Sequence, residues 1–205
     1  MEGFTIVSII QVGIQRGLKN LVPVLVNTVL WIVTIWIPYL NVGTTIGLWT
    51  GVITKMSRDE EISMTEIFNP AYRKVMGEWI LVWGFMMAGV MVGTLFLYIP
   101  GIVIFIAWML APLLVVDKGE NPIEAINKSN TMTYGKKWTI FLGMLVLEIA
   151  LIIALLIVFW IFGKIFGFLG GFGTFLMIII YIAGYALFFT ILMAAYSYIY
   201  GELAR

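Results

Sequence analysis

Glu148 is the residue of this chain best placed to do chemistry, because it lies about ten residues inside the apolar run Trp138–Phe162. At ~1.5 Å per helical residue its carboxyl sits ~15 Å from the start of that run, near the middle of a bilayer. A carboxylate at that depth costs at least ~2.5–3.5 kcal/mol, so it is expected to face protein or water. Two readings follow: a polar point on an ion, proton or solute path, or a neutral packing carboxyl hydrogen-bonded to a Tyr, Thr or Asn on a neighbouring helix, for instance Asn27 or Tyr185. Nothing joins Glu148 to form a catalytic set. The chain has no histidine and no cysteine, which removes the commonest general base, the thiolate nucleophile and the commonest transition-metal ligands. No metal cluster, P-loop or dinucleotide fingerprint is readable, so no cofactor, no metal and no enzymatic activity are expected.

The second constellation is a stripe of small residues. Gly43, Gly47 and Gly51 recur every fourth residue, with Thr44, Thr45, Thr50 and Thr54 between them. Gly84–Ala88 and Gly89–Gly93 repeat the spacing in the next apolar region. Small-xxx-small stripes let backbones approach closely, so these are read as helix-packing positions. Pro112 frees a backbone carbonyl that either lines a cavity or marks a kink.

The elements that must carry these residues belong in a membrane. Hydrophobic residues make up 62% of the 205 and charged residues 11%, against about 25% charged in soluble domains. The mean hydropathy is +1.05. Six spans are read: Leu21–Ile37, Val42–Met56, Trp79–Leu97, Ile102–Val116, Trp138–Phe162 and Thr174–Tyr200. The second and fourth have only about 15 residues against the ~20 a bilayer needs, so they thin it or borrow flanking residues. The joint Gly163–Gly173 is read as a glycine-rich turn, and Tyr98-Ile99-Pro100-Gly101 as another. Met1-Glu2-Gly3 lacks a signal-peptide basic region and Glu2 precludes myristoylation, so the first run is expected to be retained.

A repeat underlies the spans. An amphipathic stretch and an apolar hairpin recur near residues 4–56, 63–117 and 121–200. Glu66 and Gly77-Glu78-Trp79 align with Glu124 and Gly135-Lys136-Lys137-Trp138. In the first stretch Ile6, Ile9, Ile10 and Ile14 oppose a polar stripe of Ser8, Gln11, Gln15 and Lys19. The second carries a Ser63–Glu66 capping-box signature, with Pro70 shifting or kinking its helix. The third has Asn121 as N-cap, Pro122 at the first helical position and Glu124 in the first turn. All three are expected to be short helices in the cytoplasmic membrane interface, the plainer alternative being that they only anchor each hairpin's entry angle. Each copy holds two spans, so the copies run parallel.

Charge orients the bundle. Arg16, Lys19, Lys55, Arg58, Arg73, Lys74, Lys118, Lys128, Lys136, Lys137 and Arg205 gather on the face of the amphipathic stretches; Lys164 alone lies opposite. That asymmetry predicts that both termini are cytoplasmic. The loops Lys55–Glu61 and Asp117–Glu120 read as solvated connections. Trp36, Tyr39, Tyr98, Trp138, Tyr196, Tyr198 and Tyr200 read as an interfacial aromatic belt. The basic residues are too scattered for nucleic-acid binding.

Ile99-Pro100-Gly101, Trp108, Ala111-Pro112, Asp117, Gly119, Pro122, Glu124-Ala125, Ser129 and Gly135-Lys136-Lys137-Trp138 carry a pattern densest over residues 98–145. It resembles the membrane domain of the glycerophosphoryl diester phosphodiesterase family and related six-helix membrane proteins of bacteria and archaea. The resemblance implies a fold only, since that family's catalytic barrel is a separate domain and no catalytic residue transfers.

The expected fold is therefore an all-α integral membrane domain, with six transmembrane helices as three parallel repeats. The expected function is a transport or channel element for ions or small solutes. The alternatives are a non-transporting module that organises lipids or a partner membrane protein, and the small-molecule-binding subunit of a multi-component importer. Membrane lipids, and a homo-oligomer or partner membrane protein, are the expected partners.

Overall fold

A computed structural model describes residues 4–204; Met1, Glu2, Gly3 and Arg205, on which the retained N-terminus and one basic position were read, lie outside the described residues. The described chain is all helical, with no strand. Three stretches are long and apolar enough to cross a membrane: Met76–Phe96, Tyr98–Lys118 and Lys137–Leu203. A fourth arises if Ile6–Lys19 and Leu21–Thr34, which meet at a 73° bend, form one broken span. The chain is a membrane protein on this count.

The charged end begins with α1 (Ile6–Lys19), capped by a reciprocal box between Thr5 and Ser8. Its packing face differs from the isoleucine stripe expected. Ser8, Ile9, Gly13 and Gly17 are buried, whereas Val7, Ile14 and Leu18 are exposed. Glycine decides the matter: a Cβ on Gly13 would sit 2.8 Å from Ala195 Cβ, and one on Gly17 2.8 Å from Ile191 Cα. Ile9 packs on Gly143 in turn. So α1 packs closely against the two long C-terminal helices through this face, while its opposite face stays exposed.

α2 (Leu21–Thr34) and α3 (Pro38–Ile46) form the first hairpin, latched by Trp31 Nε1 donating to Thr45 Oγ1 at 2.9 Å. α3 runs on through a π-helical turn, Gly47–Gly51, into α4 (Val52–Ser57). The helical stretch thus runs from Pro38 to Ser57, beyond the expected Val42–Met56 at both ends. The glycine stripe does pack closely, but against the following segment rather than another long helix. A Cβ on Gly47 would lie 2.7 Å from Ile67 Cα, and one on Gly43 2.6 Å from Arg73 Cγ; Gly51 touches the Tyr72 ring. π turns of this kind widen a helix locally, and here the widened turn seats Ile67 and Tyr72.

That segment is not the amphipathic helix expected from Ser63. It is one 3₁₀ turn, Glu66–Phe68, and a single helical turn α5 (Ala71–Lys74) after Pro70. The capping box is not made. Glu66 instead turns inward, accepting from Lys55 Nζ and Tyr72 Oη, both at 2.7 Å. Arg73 ends 5.8 Å from the Tyr39 ring, although the two were expected at opposite ends of the first hairpin. At 14 residues α2 is only ~21 Å long, so its turn does not reach as far as a ~30 Å core requires.

α6 (Met76–Phe96) and α7 (Tyr98–Trp108) make the second hairpin across the single residue Leu97. The expected turn at Tyr98–Gly101 is helical, because Pro100 falls in the first turn of α7, where no N–H is needed. Gly93 and Gly101 bring the two backbones together. The helix breaks at Met109–Leu110, just ahead of Pro112, and resumes as α8 (Ala111–Lys118). Carbonyls at the break are claimed internally: Ser129 Oγ donates to Ala107 O at 2.7 Å, and Tyr196 Oη donates to Met109 O. Pro112 stands just after this break and also lines the groove described below.

α9 (Pro122–Thr133) starts as expected, with Asn121 Oδ1 accepting from the N–H groups of Ile123 and Glu124. Ala125, Ser129 and Thr133 are its buried face, while Ile123 is exposed. α10 (Lys137–Phe166) and α11 (Gly170–Leu203) have 30 and 34 residues. They fold back on each other, since a Cβ on Gly184 would lie 2.9 Å from Leu155. The glycine-rich joint is shorter than expected, one 3₁₀ turn at Gly167–Leu169, with Gly170 in the left-handed region at φ +57°.

Gly47→Ala should cost ~1–3 kcal/mol, because Ile67 backbone blocks the new methyl. Gly84→Ala, where nothing lies within 4 Å, is the control. Thermal unfolding in detergent should show a drop of several degrees for the first and none for the second. Equal melting temperatures would refute the seating of Ile67 in the glycine stripe.

Candidate functional site

Glu148, Asn27 and Tyr185, singled out together in the sequence, are not brought together. Asn27 is fully buried, and its amide is saturated. Nδ2 donates to Pro23 O and Ser63 O at 2.8 Å, and Oδ1 accepts from Ile67 N at 3.1 Å. It pins the 63–67 segment to α2, a structural task. Tyr185 is 56% exposed and packs on Phe159. Glu148 is exposed on the protein surface, with no hydrogen bond and no ion pair among the described residues.

Glu148 instead lines a groove of about 820 Å³ between the α6–α7 hairpin on one side and α10 and α11 on the other. Helical spacing builds its walls. α10 contributes Phe141, Met144, Leu145 and Glu148, an i, i+3, i+4, i+7 stripe, while Ile140, Gly143 and Leu147 turn into the protein. α11 adds Phe189, Leu192, Met193 and Tyr196 at the same spacing, and α6 adds Trp79, Trp83, Met86 and Val90. The lining is apolar throughout, apart from Glu148 and a few hydroxyl and indole groups. Trp49, from the π turn, meets Phe189 edge-on at 5.6 Å, and Trp79 meets Trp83 at 5.8 Å. Trp79 Nε1 donates to Thr50 at 2.9 Å, whereas the buried Trp83 Nε1 has no partner among the described residues.

Polar chemistry concentrates elsewhere, at the charged end, on residues that sequence reasoning did not single out. Asp117, expected in a solvated loop, ends α8 with its side chain 3% exposed. It accepts from Tyr200 Oη at 2.6 Å and pairs with Arg58. Lys118 Nζ lies 3.5 Å away. Nearby Glu66, also 3% exposed, holds Lys55 and Tyr72. Burial first, and then the hydrogen bond to Glu66, push the Tyr72 hydroxyl well above its ordinary pKa, so it remains a donor. Tyr198 and Tyr200, assigned to an exposed belt, are buried; Trp36, Tyr98 and Trp138 are exposed as expected. Position was the available signal: Arg58, Asp117 and Tyr200 each stand at the close of a hairpin's second helix. These clusters are closed networks, with every carboxylate already partnered. Among the described residues no group of acidic side chains could hold a metal ion.

No family model, curated protein or solved structure matches this chain significantly. The likeness of residues 98–145 to a known membrane domain therefore rests on the motif alone.

Glu148→Gln removes no protein contact, so its melting temperature should stay within about a degree of wild type. Glu66→Ala strips a buried partner from Lys55 and Tyr72 and should cost ~3–5 kcal/mol. Thermal unfolding of both variants in detergent checks this. A larger loss for Glu148→Gln than for Glu66→Ala would reverse the assignment of roles.

Proposed function

We propose that this chain is a cell-membrane protein that binds a lipid-soluble small molecule, taken laterally from the bilayer into the α6–α7/α10–α11 groove. One observation carries this reading: a groove of about 820 Å³ whose only charged residue is Glu148. Volumes of roughly 300–1,000 Å³ with apolar walls and few polar points are typical of small-molecule sites. An aqueous ion path would need a train of polar groups along its length, and these walls supply almost none. Of the readings open to the sequence, small-molecule binding, alone or as part of an importer, thus gains over an ion channel. The lipid-organising alternative shares the same groove, with lipid as its occupant.

The finer topology belongs to the same proposal. Three hairpins enter from one side, with six helices in or across the bilayer and both termini cytoplasmic. The charge asymmetry supports this, with Lys164 the one basic residue at the far end. The first hairpin is the shortest, as the length of α2 requires.

Native mass spectrometry of protein taken gently from membranes tests the groove. Wild type should retain a molecule of lipid-like mass, and Met144→Trp, which fills the groove, should lose it. Equal retention in both would place the molecule elsewhere and overturn the reading. In proteoliposomes, ion flux should stay at background for wild type and Glu148→Gln alike. Flux in wild type that Glu148→Gln abolishes would restore the channel.

A further inference from the structure

We infer that the groove's ligand is a lipophilic monocation, an aromatic or alkyl ammonium or phosphonium-type amphiphile, and that Glu148 is its counter-ion. This rests on the groove reading and adds the charge of its occupant. Glu148 is the only ionisable carboxyl of the groove lining, and no lysine or arginine lines it. The remaining acidic side chains with recorded partners are tied to protein cations or hydroxyls: Asp59 to Arg16, Glu60 to Arg58, Glu66 to Lys55, Asp117 to Arg58 and Tyr200, Glu120 to Lys128. Among the described residues Glu148 has no such partner. A carboxylate in an apolar membrane environment requires compensation, and this chain supplies none of it. A cationic occupant would supply the compensating charge.

The walls suit that charge. Trp49, Trp79, Trp83, Phe105, Phe141 and Phe189 present aromatic rings to one cavity. Ring faces attract cations, more so where water is excluded, and they repel anions. Carboxylate and rings thus select the same sign, while the apolar volume selects a bulky hydrophobic body. A small hydrated ion satisfies neither demand, because shedding its water in a groove of this lining is uncompensated. An anionic lipid would bring a phosphate to the rings and to Glu148, which like-charge repulsion opposes.

Equilibrium dialysis in detergent, corrected for empty micelles, compares tetraphenylphosphonium with tetraphenylborate, ions of nearly equal size and opposite charge. Wild type should bind tetraphenylphosphonium at least about tenfold more tightly than Glu148→Gln does, a modest fraction of what a desolvated charge pair supplies. Glu148→Asp should keep most of the preference, and Met144→Trp should weaken binding whatever residue 148 is. Tetraphenylborate should gain, not lose, affinity in Glu148→Gln. If both ions bind wild type and Glu148→Gln equally, yet Met144→Trp displaces them, the counter-ion assignment is overturned and the groove reading survives. If neither ion responds to Met144→Trp and no lipid-mass molecule is retained, the groove reading falls with it.

Discussion

The fold hangs on one buried carboxylate. Asp117 closes the second hairpin, and its two oxygens are taken by Arg58, just past the end of the first, and by Tyr200, near the end of the third. A carboxylate whose side chain is 3% exposed is tolerable only if its lone pairs are filled, and both partners are needed to fill them. The contact therefore sets where three otherwise apolar hairpins converge. Apolar helices in lipid have no hydrophobic reason to choose one mutual position over another. Polar contacts and close backbone packing supply that choice. Gly201 reinforces it, since a Cβ there would lie 2.9 Å from Ser57 O. The Glu66–Lys55–Tyr72 cluster does the same work locally, holding the 66–74 segment against the π turn.

Convergence at one end leaves the helices free to part elsewhere. α1 occupies the space between α10 and α11 near their charged ends, with Ile9 on Gly143 and Gly13 on Ala195. Further out, α10 and α11 meet each other directly through Gly184, Leu155 and Phe159. Neither arrangement closes the side turned to α6 and α7, and the groove lies there. Its aromatic walls follow from periodicity alone, because residues three, four and seven apart share a helix face. The unpartnered acid follows from the same periodicity: Glu148 is one turn beyond Met144 and Leu145, on their face of α10.

Much of the helix plan was legible. The extents of α6 and the onset of α9 at Asn121-Pro122 follow from apolar run length and capping chemistry, both local properties. Tertiary placement was not. Ser63 and Glu66 have the spacing of a capping box, yet Glu66 gains more from Lys55 and Tyr72, which only folding brings near. Asp117 resembles any loop acid in one dimension, and its burial depends on Arg58 and Tyr200, 59 and 83 residues away. Tyr198 and Tyr200 look like belt residues because composition records amphipathic character, not what faces it.

For the site, the sequence by itself determined that Glu148 stands deep in an apolar helix, and cost alone marks such a residue. It also determined that this is a membrane protein without histidine or cysteine. Only the tertiary structure decided Glu148's surroundings. Asn27 and Tyr185 are drawn to other partners, the first to Pro23, Ser63 and Ile67, the second to Phe159. What remains beside the carboxyl is a groove assembled from helices far apart in the chain. Depth along one helix is a local quantity, read by counting residues. Whether a partner waits at that depth depends on how separate helices turn and tilt against one another, and packing alone fixes that.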